Sequence, residues 1–216
     1  MKKILTGALL AFALIFAAAS EASAQVSFGV TGGATFSRLS KEVIKGENMT
    51  QYHVGGTVQI SLPLGFSIQP SLIYNVKGSR FSLADTPAAP SGNVTVGYLE
   101  VPVSLQWGPD LLLFRPFLDV TPFVGYGLNN RFSISGMETV KNSWDGSSVN
   151  RWEYGVGVGI GLEIWKFQVI GRYDWNFGSL LDFSKDLGDG GFGPALRNSF
   201  ERGNFGGFTL TAAILF

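Results

Sequence analysis

The sequence contains no cysteine, a single histidine, and charged residues at 15% of positions. Without cysteine the chain forms no disulfide and carries no thiol for a lipid anchor, which excludes cystine-stapled secreted domains and lipoproteins. One histidine without cysteine gives no cluster of transition-metal ligands. We therefore expect no cofactor and no metal site.

The chain also lacks an excess of charge, because 16 Lys and Arg balance 16 Asp and Glu. Nucleic-acid-binding proteins carry a basic excess, so no nucleic-acid partner is expected. After residue 25 no apolar run reaches the roughly 20 residues that a membrane helix needs. The composition instead favours strands, since 29 glycines and 13% aromatic residues accompany apolar–polar alternation along most of the chain.

The first 24 residues have the pattern of a secretory signal peptide. Lys2 and Lys3 precede an apolar run over 4–19, and the small residues Ala22 and Ala24 follow it. The run is short for a membrane anchor and ends in a small-residue cleavage site. The sequence therefore predicts a cleaved leader, 1–24, and one mature domain, 25–216, that begins at Gln25.

Alternation at period two predicts the strands of the mature chain, each near the length that crosses a bilayer when tilted. The connections after the second, fourth and sixth segments are short, whereas 38–50, 78–93, 129–151 and 178–204 are long and polar. Short periplasmic turns and long extracellular loops are typical of outer-membrane barrels. We therefore predict an all-β, eight-stranded, antiparallel, up-and-down transmembrane barrel. Its predicted strands are 26–37, 51–62, 66–77, 94–107, 115–128, 152–164, 167–177 and 208–216.

Two segments depart from the pattern. In the fourth, Val94, Val96 and Tyr98 are out of phase with the residues that follow, which indicates a bulge or a strand that rises beyond the membrane. In the fifth, Pro116 and Pro122 each remove a donor from the ladder.

The last strand has an apolar face that ends at the C-terminal aromatic residue. It resembles the insertion signal at the C-terminus of bacterial outer-membrane barrels. This resemblance implies the barrel assembly machinery as a partner and an outer-membrane location. The residues of this predicted signal are Phe208, Leu210, Ala212, Ile214 and Phe216.

Aromatic residues on the apolar faces fall near both ends of the predicted strands. Two such belts are typical of barrels that face lipid, and they imply contact with membrane lipid and lipopolysaccharide. The alternative is a soluble, lipocalin-like carrier with an aromatic core. The predicted girdle comprises Tyr52, Tyr74, Trp107, Tyr126, Trp152, Trp165 and Trp175.

The opposite faces carry charged side chains of both signs and a glycine at every second position over 155–161. An eight-stranded barrel is just wide enough for its side chains to fill, so these charges must pair with one another. The glycines are predicted to leave room for long side chains from opposite strands. A narrow channel for water or small ions is the alternative. The predicted interior network comprises Lys77, Glu100, Arg115, Asp119, Glu153, Glu163, Arg172 and Asp174.

His53 is predicted to face inward near the outer end of the second strand, with no companion motif. A lipid-modifying enzyme based on this residue is the less favoured alternative. We expect no catalytic residue and no enzyme, and instead a structural or surface-binding role carried by the long loops, because function concentrates on loops held by a rigid scaffold.

The stretch Tyr98-Leu99-Glu100-Val101-Pro102 resembles a motif of the PorT-like "porin family" of outer-membrane barrels in Bacteroidetes. The resemblance implies a Gram-negative outer-membrane barrel with an extracellular or secretion-system partner. In size and topology the chain is similar to OmpX-type barrels and to the membrane domain of OmpA.

Overall fold

The computed structural model describes residues 25–40, 47–82, 91–134, 140–141, 151–177 and 204–216. The predicted signal peptide lies outside these residues. Within them no helix has the length and apolar character needed to cross a membrane. The strands are β1 (Gln25–Ser40), β2 (Glu47–Ser61), β3 (Phe66–Ser82), β4 (Ser91–Trp107), β5 (Arg115–Ile134), β6 (Val140–Lys141), β7 (Trp152–Ile164), β8 (Phe167–Asn176) and β9 (Asn204–Leu215).

Eight of these strands form one closed antiparallel sheet. The order of neighbours is β1, β2, β3, β4, β5, β7, β8 and β9, and β9 returns to pair with β1. The two-residue β6 pairs only with the far end of β5, where Arg131 lies opposite Lys141. The predicted eight-stranded antiparallel barrel is confirmed. Closure removes the exposed edges that an open sheet would present.

The first and last strands close the barrel along its seam. They pair from Gly29 opposite Leu215 to Ser40 opposite Asn204. Beyond this ladder, the Phe28 amide donates to the Phe216 carbonyl at 3.2 Å, and the Phe216 amide donates to Phe28 at 2.6 Å. The closing strand is therefore held to its last residue, as its uninterrupted apolar pattern predicted.

Several strands extend further than predicted, so the first three long connections are shorter than the sequence indicated. β3 continues to Ser82 and β4 begins at Ser91, with Arg80 opposite Asn93 in the extension. β5 continues to Ile134. Backbone pairing satisfies the amides and carbonyls there without requiring an apolar stripe on the outer face. Period-two alternation consequently failed to identify these extensions.

The out-of-phase part of the fourth segment belongs to an unbroken β4. Val94 and Val96 are buried and lie opposite Ser79 and Lys77 of β3. The β4–β5 register shifts by one residue between Gly97 and Tyr98, and the extra residue is on β5. The predicted bulge is therefore present, but in the partner strand, while the valines fill the interior of the barrel.

The two prolines of β5 are accommodated within the ladder. Pro116 lies opposite Leu162 and Pro122 opposite Val156. On the other side of β5, pairing with β4 is interrupted between Pro102 and Leu105 and then resumes in the same register. The missing amide donors interrupt the pairing without changing the alignment of the strands.

Three short turns lie together at one end of the barrel, which we call the short-turn end: 62–65, 108–114 and 165–166. Leu64 and Trp165 have left-handed backbone conformations, with φ of 65° and 56°. That conformation costs a residue with a Cβ atom roughly 1–2 kcal/mol. Gly65, with φ of 78°, avoids this cost.

Candidate functional site

The barrel interior is the candidate site, because it gathers the buried polar and charged groups of all eight strands. All eight residues of the predicted charge network point into it. Seven of them form three ion-paired clusters at successive levels, and the eighth, Asp174, forms none of the ion pairs described below. We call the clusters upper, middle and lower, with the lower one nearest the short-turn end.

The upper cluster is centred on Lys77 of β3. Its ammonium lies 2.6 Å from Glu100 Oε1 and 3.0 Å from Glu153 Oε2. Asn75 donates to Glu100 at 2.9 Å, and Asn176 donates to Glu153 at 2.8 Å. Two carboxylates from β4 and β7 thus share one fully buried cation, and amides satisfy part of their remaining capacity.

The same ammonium also contacts aromatic rings. It lies 4.6 Å from the centroid of the Phe123 ring and 5.7 Å from that of Tyr98. Ring faces stabilise a desolvated cation more strongly than an exposed one. Lys77 is consequently enclosed by both carboxylates and rings.

The middle cluster joins β4, β5 and β8. Arg172 Nε donates to Asp119 Oδ2 at 2.7 Å, and its Nη2 donates to Ser104 at 3.0 Å. Thr121 donates to the same Asp119 oxygen at 2.9 Å. Asp119 is completely buried, so this guanidinium provides the compensation that a buried carboxylate requires.

The lower cluster lies in the lumen near the short turns. Arg115 Nη1 lies 3.1 Å from Glu163 Oε2, and Nη2 donates to Ser67 at 2.7 Å. Gln59 and Gln168 donate to the same Glu163 oxygen at 2.9 and 3.3 Å. One carboxylate is therefore shared by three donor side chains from three strands.

An amide layer completes this level. Gln106 donates to Gln69 at 2.8 Å and accepts from Ser67 at 3.1 Å. Gln106 and Gln168 are both buried. The predicted interior network contained only the charged residues and did not include these glutamines, although their inward parity was the same signal.

A cavity of about 40 Å³ lies between the lower and upper clusters. Its lining includes hydroxyl groups from four strands together with Lys77, Glu100, Arg172 and Asp174. Thr209 donates to Asp174 Oδ2 at 3.0 Å. A water molecule needs roughly 10–15 Å³, so the cavity has room for a few waters.

His53 faces inward as predicted, but it lies near the middle of β2 rather than near its outer end, because β2 begins at Glu47. Its Nδ1 is 3.0 Å from the Thr35 hydroxyl, and its Nε2 is 3.0 Å from that of Thr211. Thr35 donates its own proton to Asn75 at 3.0 Å, so Nδ1 is the donor towards Thr35. Both ring nitrogens are occupied inside the barrel. Among the described residues, no three acidic or histidine side chains are placed to hold a metal ion.

The glycines of β7 leave space for large side chains, as predicted, but from neighbouring strands rather than opposite ones. A Cβ atom on Gly161 would overlap the ring of Phe117, and one on Gly155 would overlap that of Phe123, both from β5. The same addition at Gly157 would overlap Arg172 of β8. These inward phenylalanines interrupt the apolar–polar alternation of the fifth segment, in addition to its two prolines.

The predicted girdle residues lie on the outside of the barrel, in two groups near opposite ends of the strands. Trp107 packs on Phe66 and Trp165 on Phe167 at the short-turn end, each pair with ring centroids 6.4 Å apart. At the other end, Tyr52 packs on Tyr74, and Tyr126 packs on Trp152. Trp175 packs there on Tyr173, which was not in the predicted girdle.

Comparison with known protein families identifies the family of this chain. The sequence profile of the family described as "Outer membrane protein beta-barrel domain" matches residues 17–182. The chain belongs to this family. It is therefore a small outer-membrane β-barrel protein, and its apolar outer face is the face expected to meet lipid. No curated protein sequence matches the chain.

Solved structures of outer-membrane barrels are similar to this chain at low identity. Neisserial surface protein A (NspA) is 13% identical with a TM-score of 0.44, over 89% of this chain and 99% of that chain. Ail, the attachment invasion locus protein of Yersinia pestis, solved with the heparin analogue sucrose octasulfate, is 12% identical with a TM-score of 0.43, over 89% and 99%. A major outer membrane protein from Thermus thermophilus is 13% identical with a TM-score of 0.45, over 89% and 100%.

The family match is broader than the resemblance drawn from Tyr98–Pro102. In the structure Tyr98 and Glu100 lie in the upper cluster, so two residues of this motif belong to the packed interior. The PorT-like and Bacteroidetes assignment gains no support from the comparisons.

Proposed function

We propose that this protein is an outer-membrane barrel with a structural, closed interior and a structural or surface-binding role. The role would be carried by the end opposite the short turns, where the longer connections lie. A rigid barrel that holds variable loops is a common arrangement for binding proteins.

The observation that carries this proposal is the ion pairing of buried charges across the interior at two levels. The lower cluster joins Arg115 and Glu163 across neighbouring strands. The upper cluster joins Lys77 to carboxylates on two other strands. The cavity between them is about 40 Å³. Paired charges in a closed interior stabilise a plug and leave no wide aqueous path.

Planar-bilayer conductance of the mature chain, 25–216, tests the closed interior. The chain would be refolded in detergent, and folding would be verified by heat-modifiable migration in a gel. We expect a folded barrel without stable conductance steps. Discrete, reproducible steps from the folded fraction would contradict the proposal.

A narrow channel for water or small ions is the second candidate. The polar lining of the cavity favours it, since hydroxyl and charged groups of Thr31, Ser71, Ser104 and Asp174 are suited to hydrated ions. Conductance steps in the experiment above would select this candidate and make Arg115 and Glu163 the first residues to substitute.

The position of His53 supports a role without catalysis. A lipid substrate would approach from the outer face of the barrel, whereas both ring nitrogens are bonded to threonine hydroxyls inside it. The imidazole is 4% exposed, so it has no surface for a lipid to reach. We therefore propose that His53 helps to hold β1, β2 and β9 together.

The proposed partners follow from the outer surface of the barrel. The two aromatic groups would contact membrane lipid and lipopolysaccharide. The barrel assembly machinery would recognise the apolar face of β9 before β9 pairs with β1. An extracellular or secretion-system partner, as the PorT-like resemblance implies, stays a prediction, as does cleavage of the leader before Gln25.

A further inference from the structure

The tips of all three short turns carry large apolar side chains that the barrel does not cover. Leu112 is fully exposed, and Leu64, Leu113 and Trp165 are 87%, 82% and 79% exposed. Turns that project into water are normally built from glycine, asparagine, aspartate or serine. We call these four residues the apolar tips.

Two of the apolar tips have a backbone conformation that residues with a Cβ atom rarely adopt. Leu64 and Trp165 have φ of 65° and 56°, where glycine or asparagine would fit without strain. A strained residue that persists at an exposed position indicates a requirement for its side chain. The requirement here is for apolar groups at the end of the barrel.

The turn that carries Leu112 and Leu113 is closed by a reciprocal pair of backbone hydrogen bonds. The Leu111 amide donates to the Phe114 carbonyl at 3.1 Å, and the Phe114 amide returns a bond of 3.1 Å. The carboxylate of Asp110 lies 3.4 Å from Arg115 Nε, at the mouth of the lumen. The two bonds satisfy four backbone groups at the base of the turn and leave the side chains of Leu112 and Leu113 at its tip.

The apolar tips continue the outer surface that faces lipid. Trp107, Phe114 and Phe167 are exposed just beside them, on the outside of the barrel. The ammonium of Lys166 lies 5.5 Å from the Trp165 ring. An aromatic ring with an adjacent lysine fits the boundary between acyl chains and phosphate headgroups.

We propose that the apolar tips insert into the phospholipid leaflet at the short-turn end of the barrel. The three turns are then seated in the membrane interface and do not project into the aqueous space beyond it. The four side chains set the depth of the barrel in the membrane. This inference goes beyond the proposed function and does not depend on whether the lumen conducts.

The absence of cysteine makes a single-site probe possible. The Leu113→Cys variant of the mature chain would be labelled with a polarity-sensitive NBD fluorophore and folded into phosphatidylcholine–phosphatidylglycerol vesicles. Quenching by acyl-chain-brominated phospholipid reports contact with lipid, and quenching by iodide reports contact with water. The matched control is Arg131→Cys, an exposed position at the opposite end of β5.

We expect brominated lipid to quench the label on the Leu113→Cys variant several-fold more than iodide does, and the reverse for Arg131→Cys. Iodide quenching equal to that of the control would overturn the proposal by placing the tip in water. Shielding from both quenchers would also overturn it, because protein such as a second copy would then cover the tip. Leu64→Cys provides the same test at a separate turn if Leu113→Cys does not fold.

Discussion

The barrel interior and its short-turn end differ in how their side chains meet their surroundings. In the interior, Lys77, Arg115 and Arg172 are each paired with carboxylates from other strands. At the short-turn end, apolar groups such as Leu112 are exposed. A water-soluble protein has the opposite distribution. The difference fits an outer-membrane barrel, whose outer surface is apolar and whose interior is polar.

The two regions also differ in how strongly each residue is coupled to its neighbours. An interior charge is held by several partners, so its removal leaves other charges buried without compensation. An apolar tip has few protein contacts, so its effect on stability depends on the surrounding lipid. Substitutions in the two regions should therefore differ in size and in their dependence on the membrane.

The largest effect is expected for Lys77→Met, which leaves Glu100 and Glu153 buried without their cation. We expect the free energy of unfolding to fall by about 3–5 kcal/mol. Urea unfolding in phospholipid vesicles, followed by tryptophan fluorescence, measures it. The control is Lys166→Met at an exposed turn, for which a change within about 0.5 kcal/mol is expected. Equal losses in the two variants would contradict the distinction between the regions.

A smaller effect is expected for Gly161→Ala, because the added methyl group would overlap the Phe117 ring. Overpacking of this kind costs about 1–3 kcal/mol. In the double variant with Phe117→Leu, the loss should be smaller than the sum of the single losses, because the two residues contact one another. Gly56→Ala is the control, since its Cβ atom would meet its nearest neighbour at 3.9 Å. Strictly additive losses would show that the glycine does not accommodate the ring.

The smallest expected effect is a difference in stability between substitutions at two of the apolar tips. Leu64→Asn and Leu112→Asn each remove one exposed leucine, but only Leu64 has a positive φ, which asparagine tolerates. In vesicles, Leu112→Asn should therefore lower the free energy of unfolding by about 1 kcal/mol more than Leu64→Asn does. The same urea titration measures the difference. If neither variant changes stability in vesicles, the tips do not contact lipid.

Much of the fold could be predicted because alternation is a local property of each strand. Residues of one parity share a face whatever the partner strand is, so inward parity identified Lys77, Glu153 and Asp119 without any contact information. The strand extensions, such as Ser91–Asn93 of β4, were missed because they lack alternation. The inward Phe117 and Phe123 were missed because apolar residues were assigned to the outer face.

The pairing inside the barrel could not be predicted from parity. Lys77 and Glu153 are 76 residues apart and Gln59 and Glu163 are 104 apart, yet both pairs are in hydrogen-bond contact. Which inward residues share a level depends on the stagger of eight tilted strands, and a shift by two residues keeps every parity while changing every partner. Of the apolar tips, Trp165 was predicted as a girdle residue, whereas the three exposed leucines were not identified, since turn residues follow no period.

By itself, the sequence determined the faces of the strands, the closing role of the last strand and the outer-membrane class. These follow from period-two alternation and from apolar groups placed where lipid requires them. The tertiary structure alone decided which charges pair, how Gly161 makes room for Phe117, and that Leu64 and Trp165 extend from strained turns. Those features arise from contacts between distant segments, which come into existence only when the barrel closes.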